Sequence, residues 1–234
     1  MDSRGPARRA DSHMDWEALK LSLLLGALTV AILLPLALVA GRWLATTRMR
    51  GRAFIAAALT LPLVLPPTVI GFYLLVGMGP DSPIGQIWTT LFGGALVFSF
   101  KGVLIASVLV NLPFAIQPAQ RAFEAVGQEL RDAAATCGHS SWRSFWRIEL
   151  PLAWPGVVTG AVLAFAHTLG EFGVVLMVGG SIPGETRTLA LSIYDRVQAF
   201  DNAGAGRMAA VLMVISLVAV TVSFLLGGRS RHHG

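Results

Sequence analysis

The chain has 234 residues, 54% of them hydrophobic and 13% charged, with a mean hydropathy of +0.66; soluble domains run about 45–50% apolar and about 25% charged, so the composition argues against a soluble domain and, despite 25 Gly and 12 Pro, against disorder away from the ends. One cysteine, Cys137, excludes an internal disulfide and a multi-thiolate metal site. The net charge of +5 comes from arginines set between long apolar runs instead of on one face, a pattern of membrane orientation and not of nucleic-acid binding.

A helix needs about 20 mostly apolar residues to cross a bilayer core. Five segments supply them, which predicts an all-α polytopic bundle of about five spans. The first covers residues 19–41 and the second 53–78. The apolar stretch 91–118 is too long for one crossing and contains Lys101. A lysine at mid-membrane costs about 2.5–3.5 kcal/mol on insertion scales, so the third span is expected to start at Gly102, with residues 91–100 at or above the membrane surface as a re-entrant piece. The fourth covers 156–180 and the fifth 208–226. The resulting division is a tail at 1–18, a transmembrane domain at 19–228 that includes a polar loop at 121–151, and a tail at 229–234. In the first tail, Ser12-His13-Met14 has the look of a cloning remnant ahead of a start at Met14. No cleavable signal peptide is expected, because the first span is longer than a typical apolar signal core and lacks a small-residue cleavage site.

Arginine placement sets the expected orientation. The link after span one carries Arg42, Arg48, Arg50 and Arg52 with no acid; the loop after span three carries Arg121, Arg131, Arg143 and Arg147; Arg229 and Arg231 follow span five. The positive-inside rule makes these three regions cytoplasmic and puts the N-terminus and the loops around Asp81 and Glu185 outside. Lys101, Arg187, Arg196 and Arg207 fall on the outer side, so the bias is not absolute.

Within the loop, Phe123, Val126, Leu130, Ala133, Ala134 and Cys137 recur at three and four residues, the period of one helix face. Gly138 stands where a left-handed cap would end that helix, and Ser140 or Ser141 can cap a short second helix with Trp142, Phe145 and Trp146 on one side, stopped by Pro151 and Pro155. Periodicity leaves two readings open: a compact protruding knob, or an amphipathic segment lying on the inner leaflet.

Asp132-Ala133-Ala134, three residues, Gly138, nine residues, then Ile148-Glu149-Leu150-Pro151 resembles the EAA loop of ABC importer permeases, with Asp132 where the pattern has Glu. The shorter side chain puts a specific salt bridge from that position in doubt. The resemblance implies that Asp132, Ala133, Ala134, Gly138, Ile148, Leu150 and Pro151 form a coupling helix that docks on a separate ATP-hydrolysing subunit. Three further stretches are similar to the molybdate permeases of that family: Leu61 to Pro67 with Gly71, Leu169-Gly170-Glu171-Phe172-Gly173, and Ile182 to Thr188. The similarity implies a type I importer permease working as a homodimer with two ATPase subunits and an external molybdate-binding protein, in the inner membrane of a prokaryote. Sulfate permeases of this plan usually carry an extra N-terminal span, so five spans favour molybdate; tungstate is not separable from it, and sulfate or thiosulfate stays as an alternative.

The same stretches have a physical reading. Pro62, Pro66 and Pro67 remove backbone donors and clash with preceding carbonyls, so span two should be kinked or locally unwound. The break is either a packing kink or, with Thr68 and Gly71, the lining of a translocation path or gate. Glu171 is expected well inside span four with His167 one turn before it. Three roles remain for this acid: a gate or packing group, either protonated or paired with His167, Arg187 or Lys101; a direct contact with the anion; or an incidental buried acid. His167 stands where relatives often have Arg. Glu185 and Arg187 follow a Pro-Gly turn expected outside, facing the binding protein. The chain has two lysines, Lys20 and Lys101, and no G-x-x-x-x-G-K-[ST], so ATP and Mg are expected on the partner, with no metal or cofactor here. An intramembrane hydrolase lacks a serine partner for His167, and a passive anion channel leaves the knob unexplained.

Overall fold

The computed structural model describes residues 14–228; the expected tails, with Ser12-His13, Arg229 and Arg231, lie largely or wholly outside these residues. Every described element is helical. α1 (Trp16–Thr46) starts at Asp15, whose carboxylate accepts a hydrogen bond from the Ala18 amide at 3.0 Å. It runs longer at both ends than the expected span.

The second span is two helices, α2 (Arg52–Val64) and α3 (Pro67–Met78), bent by 108°. Pro62 is carried inside α2; the break falls at Leu65-Pro66, where two successive ring nitrogens leave the turn without donors. α4 (Pro83–Phe92) is capped by Ser82 and ended by Gly93 in the left-handed region at φ 72°. In the expected surface piece 91–100, Leu96 and Val97 are buried against α3 and its neighbours, while residues 91–95 and Phe98 are exposed. α5 (Phe100–Ala125) then begins two residues earlier than Gly102, because Ser99 supplies the cap by accepting from the Gly102 amide. Lys101 lies in the first turn, its ammonium 5.8 Å and 5.6 Å from the ring centres of Trp88 and Phe92.

In loop 121–151 the turn at Gly138 separates two helices as expected, but the first is divided and the second is not stopped. Gly127, at φ 73°, separates α5 from α6 (Gln128–Thr136). α7 (Ser141–Ser144) passes through a π turn, Phe145–Glu149, directly into α8 (Leu150–Gly170). Pro151 and Pro155 therefore do not end the short helix. The Leu150 amide bonds back to the Phe145 carbonyl, and this wider turn makes room for the first ring, which occupies the opening turn of α8 where its missing N–H is tolerated.

The fourth span is also shorter than expected. α8 ends at Gly170, Glu171 and Phe172 are non-helical, and α9 (Gly173–Gly179) follows. Glu171 is thus at a helix break and not inside a continuous span. α10 (Leu189–Gln198) and α11 (Asn202–Gly228) complete the chain. Asp201 opens α11: its carboxylate is held below the usual range by the Gly204 amide and by Arg196. Four helical runs are long and apolar enough to cross a membrane, and the bent α2–α3 pair makes a fifth where it counts as one span.

α5 is the central post: 56% of its apolar window is buried, against 28% for α1 and 11% for α11. α1 and α8 pack on it through Leu33, Ala37, Ala115, Ala119, Phe123, Ala153, Val157 and Ala164. Small residues matter here because lipid supplies no hydrophobic drive between helices, and contact distance decides the attraction. At Gly160 a Cβ would fall 2.8 Å from the Ala115 carbonyl oxygen. Replacing Gly160 by Leu is expected to cost about 1–3 kcal/mol from overpacking, read as a lower melting temperature in detergent; Leu at Gly206, which faces open space, is expected to leave it within error.

Candidate functional site

The knob is built from short-range rules and then pinned by one buried charge. α6 ends as Gly138 takes φ 78°, with its amide bonded to the Ala135 carbonyl and the His139 amide to Ala134. Only glycine adopts this geometry readily. Ser140 then caps α7, accepting from the Arg143 amide at 3.3 Å. Trp142 and Trp146 stand 5.6 Å apart and stay largely exposed, while Phe145 turns to the core, its ring 6.1 Å from that of Phe123.

The residues of the EAA-like motif divide between two directions. Ala134 is buried, and Leu150 packs against the α1–α5–α8 core. Asp132 and Ala133 are exposed; the Asp132 carboxylate accepts from its own helix, from Gln128 Nε2 at 2.8 Å. Ile148 is half-buried and Pro151 exposed. The motif therefore presents one side to solvent and anchors the other.

The anchor is Glu149, a residue the motif treats as variable. Its side chain is 1% exposed and receives Arg42 Nη2 at 2.8 Å, Arg42 Nε at 3.0 Å and Arg131 Nε at 3.2 Å. Arg131 also donates from Nη2 to the Phe123 carbonyl at 2.6 Å. Arg42 lies on α1, Phe123 on α5, Arg131 on α6 and Glu149 at the head of α8, so one carboxylate gathers the ends of three spans and the knob. Its signal in the sequence was indirect: an acid inside the arginine-rich face.

The second cluster is the pair of helix breaks. α3 packs on α9, and a Cβ at Gly173 would lie 2.8 Å from Pro67 Cβ. Gly71 makes the neighbouring close approach, where a Cβ would lie 2.8 Å from Met177 Cβ. The structure thus brings Pro67 and Gly71 against the segment that Glu171 opens, while Pro66 and Thr68 remain exposed. Glu171 is 6% exposed, and its Oε1 accepts from the Val174 amide at 3.0 Å, capping α9. Oε2 faces His167 Nε2 at 3.8 Å, beyond a hydrogen bond. His167 Nδ1 meets Asn111 Oδ1 at 3.0 Å, and its ring stacks on Phe114 at 4.2 Å. Asn111 is fully buried and donates from Nδ2 to the Ser107 carbonyl at 2.8 Å. Asn111 was missed from the sequence; a lone amide in mid-span was the available signal.

The other two partners considered for Glu171 are elsewhere. Lys101 rests over aromatic rings, and Arg187 Nε pairs with Asp195 at 3.3 Å. The turn at residues 181–188 is held from within: Thr186 Oγ1 accepts from the Ile182 amide at 2.8 Å and donates to the Gly179 carbonyl at 2.6 Å. Glu185 is exposed on it.

The family model for "Binding-protein-dependent transport system inner membrane component" matches residues 24–229. The chain is 48% identical over 207 residues, 88% of this chain and 92% of the relative, to the Molybdenum transport system permease protein ModB of Azotobacter vinelandii. It is 37% identical over 218 residues, 93% of this chain and 95% of the relative, to the protein of the same description from Escherichia coli (strain K12). Among solved structures, a chain of a bacterial alginate ABC transporter in complex with its alginate pentasaccharide-bound periplasmic protein superposes with a TM-score of 0.73 at 16% identity, covering 94% of this chain and 80% of that one; this likeness concerns the fold.

Two outcomes follow from the clusters. Glu149→Ala removes the carboxylate that Arg42 and Arg131 share, and because those guanidiniums are 31% and 14% exposed the loss is expected below the about 3–5 kcal/mol of a fully buried broken pair; hydrogen exchange in residues 128–144 should rise, while α5 stays protected. Glu171→Gln keeps an oxygen for the Val174 amide and is expected to preserve the fold, whereas Glu171→Leu uncaps α9 and should cost about 1 kcal/mol, measured as a thermal shift between the two variants.

Proposed function

We propose, because this chain belongs to the family of binding-protein-dependent transport system inner membrane components, that it is the permease subunit of an ATP-driven importer and that its substrate is molybdate. It is a multi-pass inner-membrane protein. The substrate reading is supported by the 48% identity to a molybdenum transport permease over nearly the whole of both chains.

The geometry favours a transmitting role. The exposed side of the knob, Asp132 and Ala133 with the Trp142–Trp146 surface, meets a separate ATPase subunit, which holds the ATP and Mg. Glu149 carries its displacement into α1, α5 and α8. Two copies form a homodimer with the anion path on the two-fold axis. α2 packs on the core only through one face, with Ile55 and Leu59, so the face that carries Phe54, Leu61 and Val64 is free for the second copy and for lipid. Closure of two ATPase subunits draws the knobs together and rocks the spans to open the path outward; hydrolysis reverses the tilt. The broken pairs α2–α3 and α8–α9 supply the gate, with Pro67, Gly71 and Glu171 at their contact, Pro66 and Thr68 exposed beside it, and His167 one turn before Glu171. Broken helices fit this role because backbone outside a helix is tolerated at membrane depth only against protein or a water-filled path.

The knob faces the cytoplasm and the N-terminus the outside, in keeping with the arginines of the loops. An external binding protein delivers the oxyanion to the outer turn at Glu185 and Arg187, whose internal hydrogen bonds keep its shape. The carrying observation is the fully buried Glu149 joined to Arg42 and Arg131.

Ala133→Trp adds bulk on an exposed face and is expected to leave the chain folded while reducing co-purification with the ATPase at least tenfold; undiminished recovery of the complex removes the docking reading. In proteoliposomes holding the complete transporter, ATP-dependent uptake should be saturated by molybdate and competed weakly by sulfate. Equal competition would replace molybdate by sulfate as the substrate.

A further inference from the structure

Behind the knob the chain encloses more positive charge than its anchor uses. A cavity of about 390 Å³ lies between the end of α1, α6 and α7, lined by Arg42, Arg48, Arg131, His139, Ser144 and Glu149 among others. Arg42 and Arg131 share the Glu149 carboxylate, and each gives two hydrogen bonds, so the remaining N–H groups of both guanidiniums stay open. Arg48 is exposed and has no ion pair among the described residues. Asp132 is the second acid of the lining, already held by Gln128. Three guanidiniums against two carboxylates leave the cavity net positive.

The polar lining is also unfinished. Ser144 is 6% exposed, and its hydroxyl has no hydrogen-bond partner; His139 Nδ1 is likewise enclosed without one. Buried polar groups are nearly always paired, and a hydroxyl beside open guanidinium groups is satisfied best by an acceptor that carries negative charge.

We propose that this cavity is a binding site for a tetrahedral oxyanion, held by Arg42, Arg48, Arg131 and the Ser144 hydroxyl. A carboxylate offers two coplanar acceptors; a tetrahedral oxyanion offers acceptors toward three walls at once, and here α1, α6 and α7 each supply a donor. The cavity volume leaves room for accompanying water. Two sources share this chemistry: the transported oxyanion after release, and inorganic phosphate from ATP hydrolysis. The choice between them rests on the proposed function. The existence of the site does not, because it is tested without ATPase and without transport.

The test is calorimetric titration of the purified full-length chain in detergent with sodium molybdate and, separately, with inorganic phosphate, against chloride at matched ionic strength. Saturable binding of either oxyanion is expected, weakened at least tenfold by Arg48→Gln and by Ser144→Ala, neither of which breaks an existing ion pair, and unchanged by Arg147→Gln outside the cavity. Tighter binding of molybdate assigns the released substrate as occupant; tighter binding of phosphate assigns the hydrolysis product. Absence of saturable binding above chloride, or binding that Arg48→Gln leaves intact, overturns the site, and neither result touches the importer reading, which stands or falls on ATPase recovery with the Ala133 variant.

Discussion

A single carboxylate, 1% exposed, sets the geometry of the end of the bundle that carries the knob. Glu149 is a poor choice for stability alone, since removing two or three charged groups from water costs more than an apolar contact of the same size. What an ion trio supplies is direction. Arg42 approaches Glu149 through two nitrogens, Arg131 adds a third bond and reaches on to the Phe123 carbonyl. Sliding α6 along α1 or α8 would strand a charge, so the knob moves with the three spans or not at all. Apolar packing would tolerate small slips; this contact does not.

The π turn serves the same end. It lets the chain pass from the knob into α8 without a loop, although two prolines follow within the first turns. A flexible hinge at that point would absorb a push. A continuous helical run from Ser141 to Gly170 transmits it, and the extra residue in the turn places Glu149 on the buried side. That run joins the knob rigidly to the spans, and the spans themselves carry the points where the helix is interrupted.

Those points are the two helix breaks, which the fold sets against each other. Pro67 rests on Gly173 and Met177 on Gly71, so the bend in one broken span depends on the break in the other. Glu171 caps the short α9 and, through His167 and Asn111, reaches the central helix α5. The acid is buried and committed to a backbone amide. The proposed oxyanion site lies at the knob, where arginine is in excess.

Much of this was legible in the residues. Apolar runs longer than about 20 residues admit one structure in a bilayer, because no water is present to satisfy a free backbone; five helical crossings follow from hydropathy alone. The glycine at 138 and the serine at 140 fixed the knob locally, as did the prolines at 66 and 67 the bend of the second span. Partnership was not legible. Nothing local tells that Glu149 meets Arg42 across 107 positions or that His167 meets Asn111 across 56, since such pairs form only when α1, α5 and α8 are packed. The local readings failed differently at Gly127, Pro151 and Glu171: a helical period was interrupted at a left-handed glycine, a proline was absorbed after a π turn, and an apolar span was broken, in each case with backbone bonds that stay within five residues, so periodicity and hydropathy alone did not mark the places.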